Sequence, residues 1–354
     1  MKKVWALVGT FVLLLSILLV GCSQESKQTP KDTLIAAFGK ATEITSNKFE
    51  GSMKLKLELP DSAMVDDPSA AMVLNLLNNA ELSFRGTSQL DPMMAEVLLT
   101  ARVTGDTEIA INLSILVTDN KVWVKIPNTP FLPLPENVVG KYLELDLDEL
   151  SEMAGEEAAT LTPEQQQKIQ RLGAEIAELF FGAFEDGSYF SKVSKDEAGI
   201  PSDVDAAQVV KFELTNDNLR PFVKSLVEVL PALLEKIAEL DEAGVTQADI
   251  EEFKAKLQED EQELDASLDE LEDVLNIHAA KVVTAVGKNG FVTYTGLDVD
   301  LEITADGESG RLGLQTAVKQ SEINEKVEFE LQVPDASEII TFEELMSSLF
   351  MVGF

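Results

Sequence analysis

The sequence predicts an α+β protein built on antiparallel strands, and three observations carry that prediction. Segments that alternate apolar and polar residues lie towards both ends of the chain, amphipathic helical repeats fill the middle, and tight-turn signals join neighbouring strands. Strands on both sides of a helical middle favour one domain, closed by its C-terminal strands, over two separate ones.

The elements follow in order. From Thr33, TLIAAFGKATEI places Leu34, Ala37, Phe38 and Ala41 on one helical face. The period then changes to two. In FEGSMKLKLEL, Phe49, Met53, Leu55, Leu57 and Leu59 point one way and Glu50, Lys54, Lys56 and Glu58 the other, as in a half-buried strand. Further strands are expected at 80–88, 97–104, 108–118, 122–126 and 141–147, with Asp119-Asn120-Lys121 as a hairpin turn.

Thr162-Pro163-Glu164 reads as an N-cap followed by proline at the first helical position, and Ile169, Leu172, Ile176, Leu179, Phe180 and Phe184 form a stripe behind it. After a strand at 208–214, a second helix carries Leu219, Phe222, Leu226, Leu230, Leu233 and Ile237 in register. Pro231 inside it is expected to kink or split it near Leu230. A third helix is expected from Thr246, turning back at 241–245, with Ile250, Leu257, Leu264 and Leu271 seven residues apart. Asp260 and Ser267 interrupt the second apolar position, so an antiparallel helical hairpin is favoured over a zipper for a partner. KVVTAVGKNGFVTYTGLDVDLEI then gives a hairpin at Gly287–Gly290, GRLGLQTAVKQ and EKVEFELQVP extend the sheet, and ASEIITFEELMSSLF closes as a short helix.

The N-terminus has the character of a secretion signal: Lys2 and Lys3 precede an uncharged apolar run, Val4 to Val20. An uncleaved membrane anchor is the competing reading of that run. Its ending favours the signal, because Leu19-Val20-Gly21-Cys22 resembles the lipobox of bacterial lipoproteins, in which cleavage precedes the cysteine and its sulfur receives a diacylglyceryl group. Two acyl chains hold a protein stably where one does not. The expected organisation is therefore a signal peptide over 1–21, a lipidated tether over 22–32 with a reach of roughly 18 Å, and one domain over 33–354 with helical insertions at about 162–184 and 217–275. The protein is expected on the extracytoplasmic side of the cell membrane, lipid-anchored through Cys22, as a monomer.

Composition excludes several chemistries. The chain has 28 basic and 63 acidic residues, a formal net charge of −35, which repels nucleic acid and anionic headgroups. Cys22 is the single cysteine and His278 the single histidine, so zinc with its usual ligands is excluded and no cofactor or metal is expected. Nucleotide-binding glycine loops and the nucleophile elbow are lacking, and no enzyme activity is expected. Asp298, Asp300 and Glu302, and likewise Glu144, Asp146 and Asp148, share a strand side, yet without a calcium loop they read as solvated faces.

The order of elements, with DTLIAAFGKATEI, KYLELDLDEL, KFELTNDNLRPFVKSL and VPDASEIITFEEL, resembles the LolA-like and LppX-like superfamily of bacterial lipoproteins and lipid carriers, most of all its Gram-positive lipoproteins. The resemblance spans nearly the whole mature chain. It implies a strongly curved antiparallel sheet, an unclosed half-barrel, with helices over a concave apolar face that holds a lipid or acyl chain. On that expectation Met53, Leu55, Leu57, Val122, Val124, Phe329 and Leu331 line the interior, and Phe180, Phe184, Phe222 and Leu226 belong to the helical lid. The competing expectation is an interaction or sensor module with a filled core that meets a protein partner through its acidic helices.

Overall fold

The computed structural model describes residues 28–60, 68–104, 109–128, 134–135, 137–147, 163–239, 247–259, 261–305 and 307–352. Cys22, the signal segment, the Thr162 cap and the 241–245 turn lie outside them. Twelve strands form one sheet: β1 (Ser46–Glu58), β2 (Ala80–Leu90), β3 (Met93–Val103), β4 (Ile109–Thr118), β5 (Lys121–Lys125), β6 (Tyr142–Asp146), β7 (Phe190–Lys192), β8 (Gln208–Glu213), β9 (Leu275–Val286), β10 (Val292–Ala305), β11 (Glu308–Ser321) and β12 (Ile339–Ile340). Their order is β12-β6-β5-β4-β3-β2-β1-β11-β10-β9-β8-β7. The pairs from β2 to β6 and from β7 to β11 are antiparallel, and the two-residue β12 runs parallel to its neighbour β6. The sheet does not close, and the fold is the expected α+β architecture on an unclosed antiparallel sheet.

Seven helices are described: α1 (Pro30–Gly39), α2 (Pro68–Asn78), α3 (Pro163–Gly182), α4 (Leu219–Ile237), α5 (Gln247–Glu259), α6 (Glu261–Val274) and α7 (Phe342–Val352). Helix α1 begins at Pro30, inside the 22–32 segment expected as a tether. The Thr29 hydroxyl accepts from the Asp32 N–H and the Asp32 carboxylate accepts from the Thr29 N–H, a capping box with proline behind it. Lys31 then donates to the Phe184 carbonyl at 2.7 Å and to the Gly182 carbonyl at 3.3 Å, occupying acceptors that the end of α3 leaves free.

Three further expectations are corrected. Helix α4 is not split at Pro231, because Leu226, Leu230 and Leu233 on both sides of it are buried on one face and packing outweighs the lost hydrogen bond. The third helix is described over Gln247–Glu259 and Glu261–Val274, and Asp260 lies outside the described residues. Leu275, read as the end of that helix, opens β9. EKVEFELQVP forms no strand, for a reason given below.

The chain divides into two compact units, each with apolar clusters of its own. The first comprises Met1–Glu43, Met53–Asn78 and Lys168–Lys319, and the second Ile44–Ser52, Asn79–Gln167 and Gln320–Phe354. In the first unit, β8 to β11 bury Phe212, Val282, Ala280, Leu297, Val299, Leu301 and Leu314 against Phe180, Phe181 and Phe184 around the end of α3 and Phe222 and Leu226 of α4. Arg220 of α4 binds Asp265, Asp269 and Glu272, three carboxylates on one face of α6, and so fastens that helix to its neighbour. In the second unit, Leu116, Trp123 and Tyr142 are buried, with Met94, Leu331 and Ile339 packed on them. Gly86 of β2 is required there: a Cβ on it would stand 2.1 Å from the Glu96 carbonyl and 2.5 Å from the Phe49 ring.

Candidate functional site

The lid residues predicted from sequence are brought together, but as a filled core. Phe184 and Phe222 stack at 4.7 Å between ring centroids, Phe180 meets Phe184 edge-on at 5.1 Å, and Phe212 lies within 6.0 Å of both Phe180 and Phe184. Phe180 and Phe184 are 1% exposed, Phe222 is 2% exposed, and Leu226 belongs to the same cluster. Leu55 packs against its edge, Leu57 is half-buried, and Met53 is exposed. These aromatic rings leave the first unit's sheet face covered tightly.

The second unit differs. Side chains alternate along each strand, and the register therefore fixes which residues share a face. Phe84 stands opposite Leu99 and Leu99 opposite Leu113; Val97 pairs with Ile115, Ile115 with Val124 and Val124 with Leu143. Leu82, Ala101, Ile111, Val117, Val122 and Leu145 continue the same face. Among all the residues that β2 to β6 place on it, Ser88 alone is polar and none is charged. Only Gly86 and Met93 there are buried; the rest are half-buried. With strands about 4.8 Å apart and about 3.3 Å per residue, five strands give an apolar field of roughly 19 Å by 30 Å.

Val122 and Val124 lie on this field. Leu331 does not. It packs on Leu116 and Trp123, which face the other way, and Phe329 is half-buried in a segment without strand pairing. The cause is Glu96, 1% exposed on β3, whose carboxylate accepts the backbone N–H groups of Glu330 at 3.0 Å and Leu331 at 2.7 Å. A side chain thus takes the hydrogen bonds that a ladder would have used. The field residues Phe84, Leu99, Ile111 and Leu113 were not singled out from sequence, although the alternation in LSFRG, VLLTARV and IAINLSILV carries them.

Carboxylates in both rows have close partners. Asp300 takes a two-pronged contact from Arg311 at 2.6 and 2.7 Å, Asp298 pairs with Lys281 at 3.1 Å, and His278 reaches Glu302 at 2.8 Å. Glu144 accepts from Lys121 at 2.7 Å and from the Trp123 indole at 2.8 Å, and Asp148 lies outside the described residues. No group of acidic, histidine or cysteine side chains that could hold a metal occurs among the described residues. Arg311 holds the Asp300 carboxyl below its usual range, and Lys121 and then Trp123 do the same for Glu144. Folded values below the unfolded ones mean a stabilisation present above about pH 4 and lost as the pH falls through the lower values. Arg311→Gln should therefore melt lower than wild type at pH 6, and the two melting curves should converge by about pH 2. A gap that persisted there would assign Arg311 a packing role instead.

The protein is thus an α+β molecule whose unclosed sheet carries a half-covered apolar field in one unit and an aromatic-filled core in the other. No protein-family model and no curated protein matches the chain. No helix among the described residues is long and apolar enough to cross a membrane.

Proposed function

We propose that the protein is an extracytoplasmic lipoprotein, held at the membrane by a diacylglyceryl group on Cys22, that binds the acyl chain of a lipid non-covalently on the apolar field of its second unit. One observation carries the reading: β2 to β6 present an uncharged apolar surface, Phe84, Leu99, Leu113, Ile115 and Val124 among it, that the fold leaves half-covered. Each methylene an acyl chain buries there is worth about 0.8 kcal/mol. The likeness to LolA-like carriers supports the same ligand class, and the site moves from the expected lid residues, which are core, to the faces of β2 to β6. The chemistry needs no catalytic residue.

The test is native mass spectrometry with organic extraction on a chain beginning at Ser23, free of its own lipid. A co-purified lipid at one per chain is expected, lost in Leu113→Glu and retained in Ile169→Glu, whose target is exposed on α3. A protein that is empty and takes up no fluorescent fatty acid would overturn the proposal. The filled core of the first unit favours a second role there, that of an interaction surface.

A further inference from the structure

Helices α3 and α4 each bury one stripe and leave a second facing outwards. On α3 the outer stripe is Glu175, Glu178, Leu179 and Gly182; on α4 it is Ser225, Glu228, Val229, Ala232 and Lys236. With Ile35 of α1 and Ala183 these stripes enclose an open groove of about 780 Å³. Its floor is apolar and low, because Gly182, Ala183, Ser225 and Ala232 are small. Lys236 closes one end, bound to Glu175 at 2.7 Å and to Glu239 at 2.8 Å, contacts that raise its pKa. Glu178 and Glu228 stand exposed on the rims, and neither has a charged or hydrogen-bonding partner among the described residues.

We infer that this groove is a docking site for a basic amphipathic helix of a partner protein. The apolar floor asks for side chains spaced three and four residues apart, as one helix face supplies. The stripes run about 11 to 16 Å, enough for two to three turns of a helix at about 1.5 Å per residue. Charge then chooses among apolar occupants: the two exposed rim carboxylates and a chain at −35 repel fatty carboxylates and anionic lipids and attract Lys or Arg flanking an apolar face. The site lies within the first unit and does not depend on the lipid-binding proposal.

The probe is a 14-residue peptide of leucine and lysine, leucines on one helical face, added to the full chain in phosphatidylcholine nanodiscs; its counterpart has glutamate for lysine. Hydrogen–deuterium exchange is read on the protein. Protection is expected over 175–183 and 225–236 with the lysine peptide and none with the glutamate peptide. Glu178→Gln/Glu228→Gln should raise the half-protecting concentration tenfold or more. Gly182→Leu should do the same without changing charge, since a Cβ at Gly182 meets no atom within 4 Å and its side chain fills the groove instead. Glu270→Gln/Asp273→Asn, equal in charge and exposed on α6, should change it less than twofold. Protection elsewhere only, or equal weakening by both charge-removing pairs, would overturn the inference and reduce the binding to general attraction by an acidic chain.

Discussion

Phe212→Ala is expected to cost about 3–5 kcal/mol of stability, the range for emptying a buried aromatic site. Phe212 sits on β8 at 2% exposure, and its ring touches six others: Phe180, Phe181, Phe184, Tyr189, Phe190 and Phe222, at centroid distances from 5.1 to 6.4 Å. Those rings come from α3, α4, β7 and the turns beside them, so one side chain serves four elements at once. Alanine there removes contacts on every side, and the neighbours, themselves fixed by ring on ring, have little freedom to collapse into the space. Guanidinium unfolding followed by far- and near-ultraviolet circular dichroism measures the loss. Phe212→Leu should cost less, because it keeps most of the apolar contact. A penalty under 1 kcal/mol for the alanine variant would mean a loosely filled interior, and would return the first unit to the list of places where a ligand could sit.

That outcome bears on what a sequence can say. Alternation located the strands from β1 to β6 and from β8 to β11, because a half-buried strand writes its period into the residues directly. It missed β7 and β12, three and two residues long, where no period can develop. It also missed α2, whose PSAAMVLNLLN lacks charge and so shows no polar face. In the other direction EKVEFELQVP alternates well and is not a strand, since Val327 and Leu331 pack while Val333 is 56% exposed and the backbone bonds go to Glu96. A tertiary acceptor 234 positions away leaves no local trace. The site follows the same logic. Phe180, Phe184 and Phe222 were legible as buried, but a core and a ligand pocket use the same residues, and only ring-to-ring distances separate them. Glu175, Glu178 and Gly182 of α3 read by themselves as a solvated face; with Leu179 they line a groove only beside the matching stripe of α4.

Glu96→Ala is expected to destabilise the second unit by about 2–4 kcal/mol, since two hydrogen bonds to a charged acceptor are lost and each such bond contributes about 1.5–3 kcal/mol before water recovers part of it. The loss should be local in kind. Residues 326–335 lie against the sheet through the Glu96 carboxylate, through Leu331 on Trp123, and through Arg85, which grips Glu330 with two contacts of 2.9 Å. The Arg85 pair is half-exposed on both sides and contributes little by itself. Glu96 is buried, so its carboxylate stays desolvated and must be satisfied by these N–H groups. In a chain beginning at Ser23, Trp123 is the sole tryptophan, and it reports on the segment directly. Its emission should shift to the red in Glu96→Ala as Leu331 leaves it, with faster amide exchange at 330 and 331. Glu96→Gln keeps one acceptor oxygen and should fall between the two. If emission and exchange both stayed at wild-type values, the apolar contact of Leu331 would be sufficient to hold the segment, and the buried carboxylate would have to be explained by its effect on β3 alone.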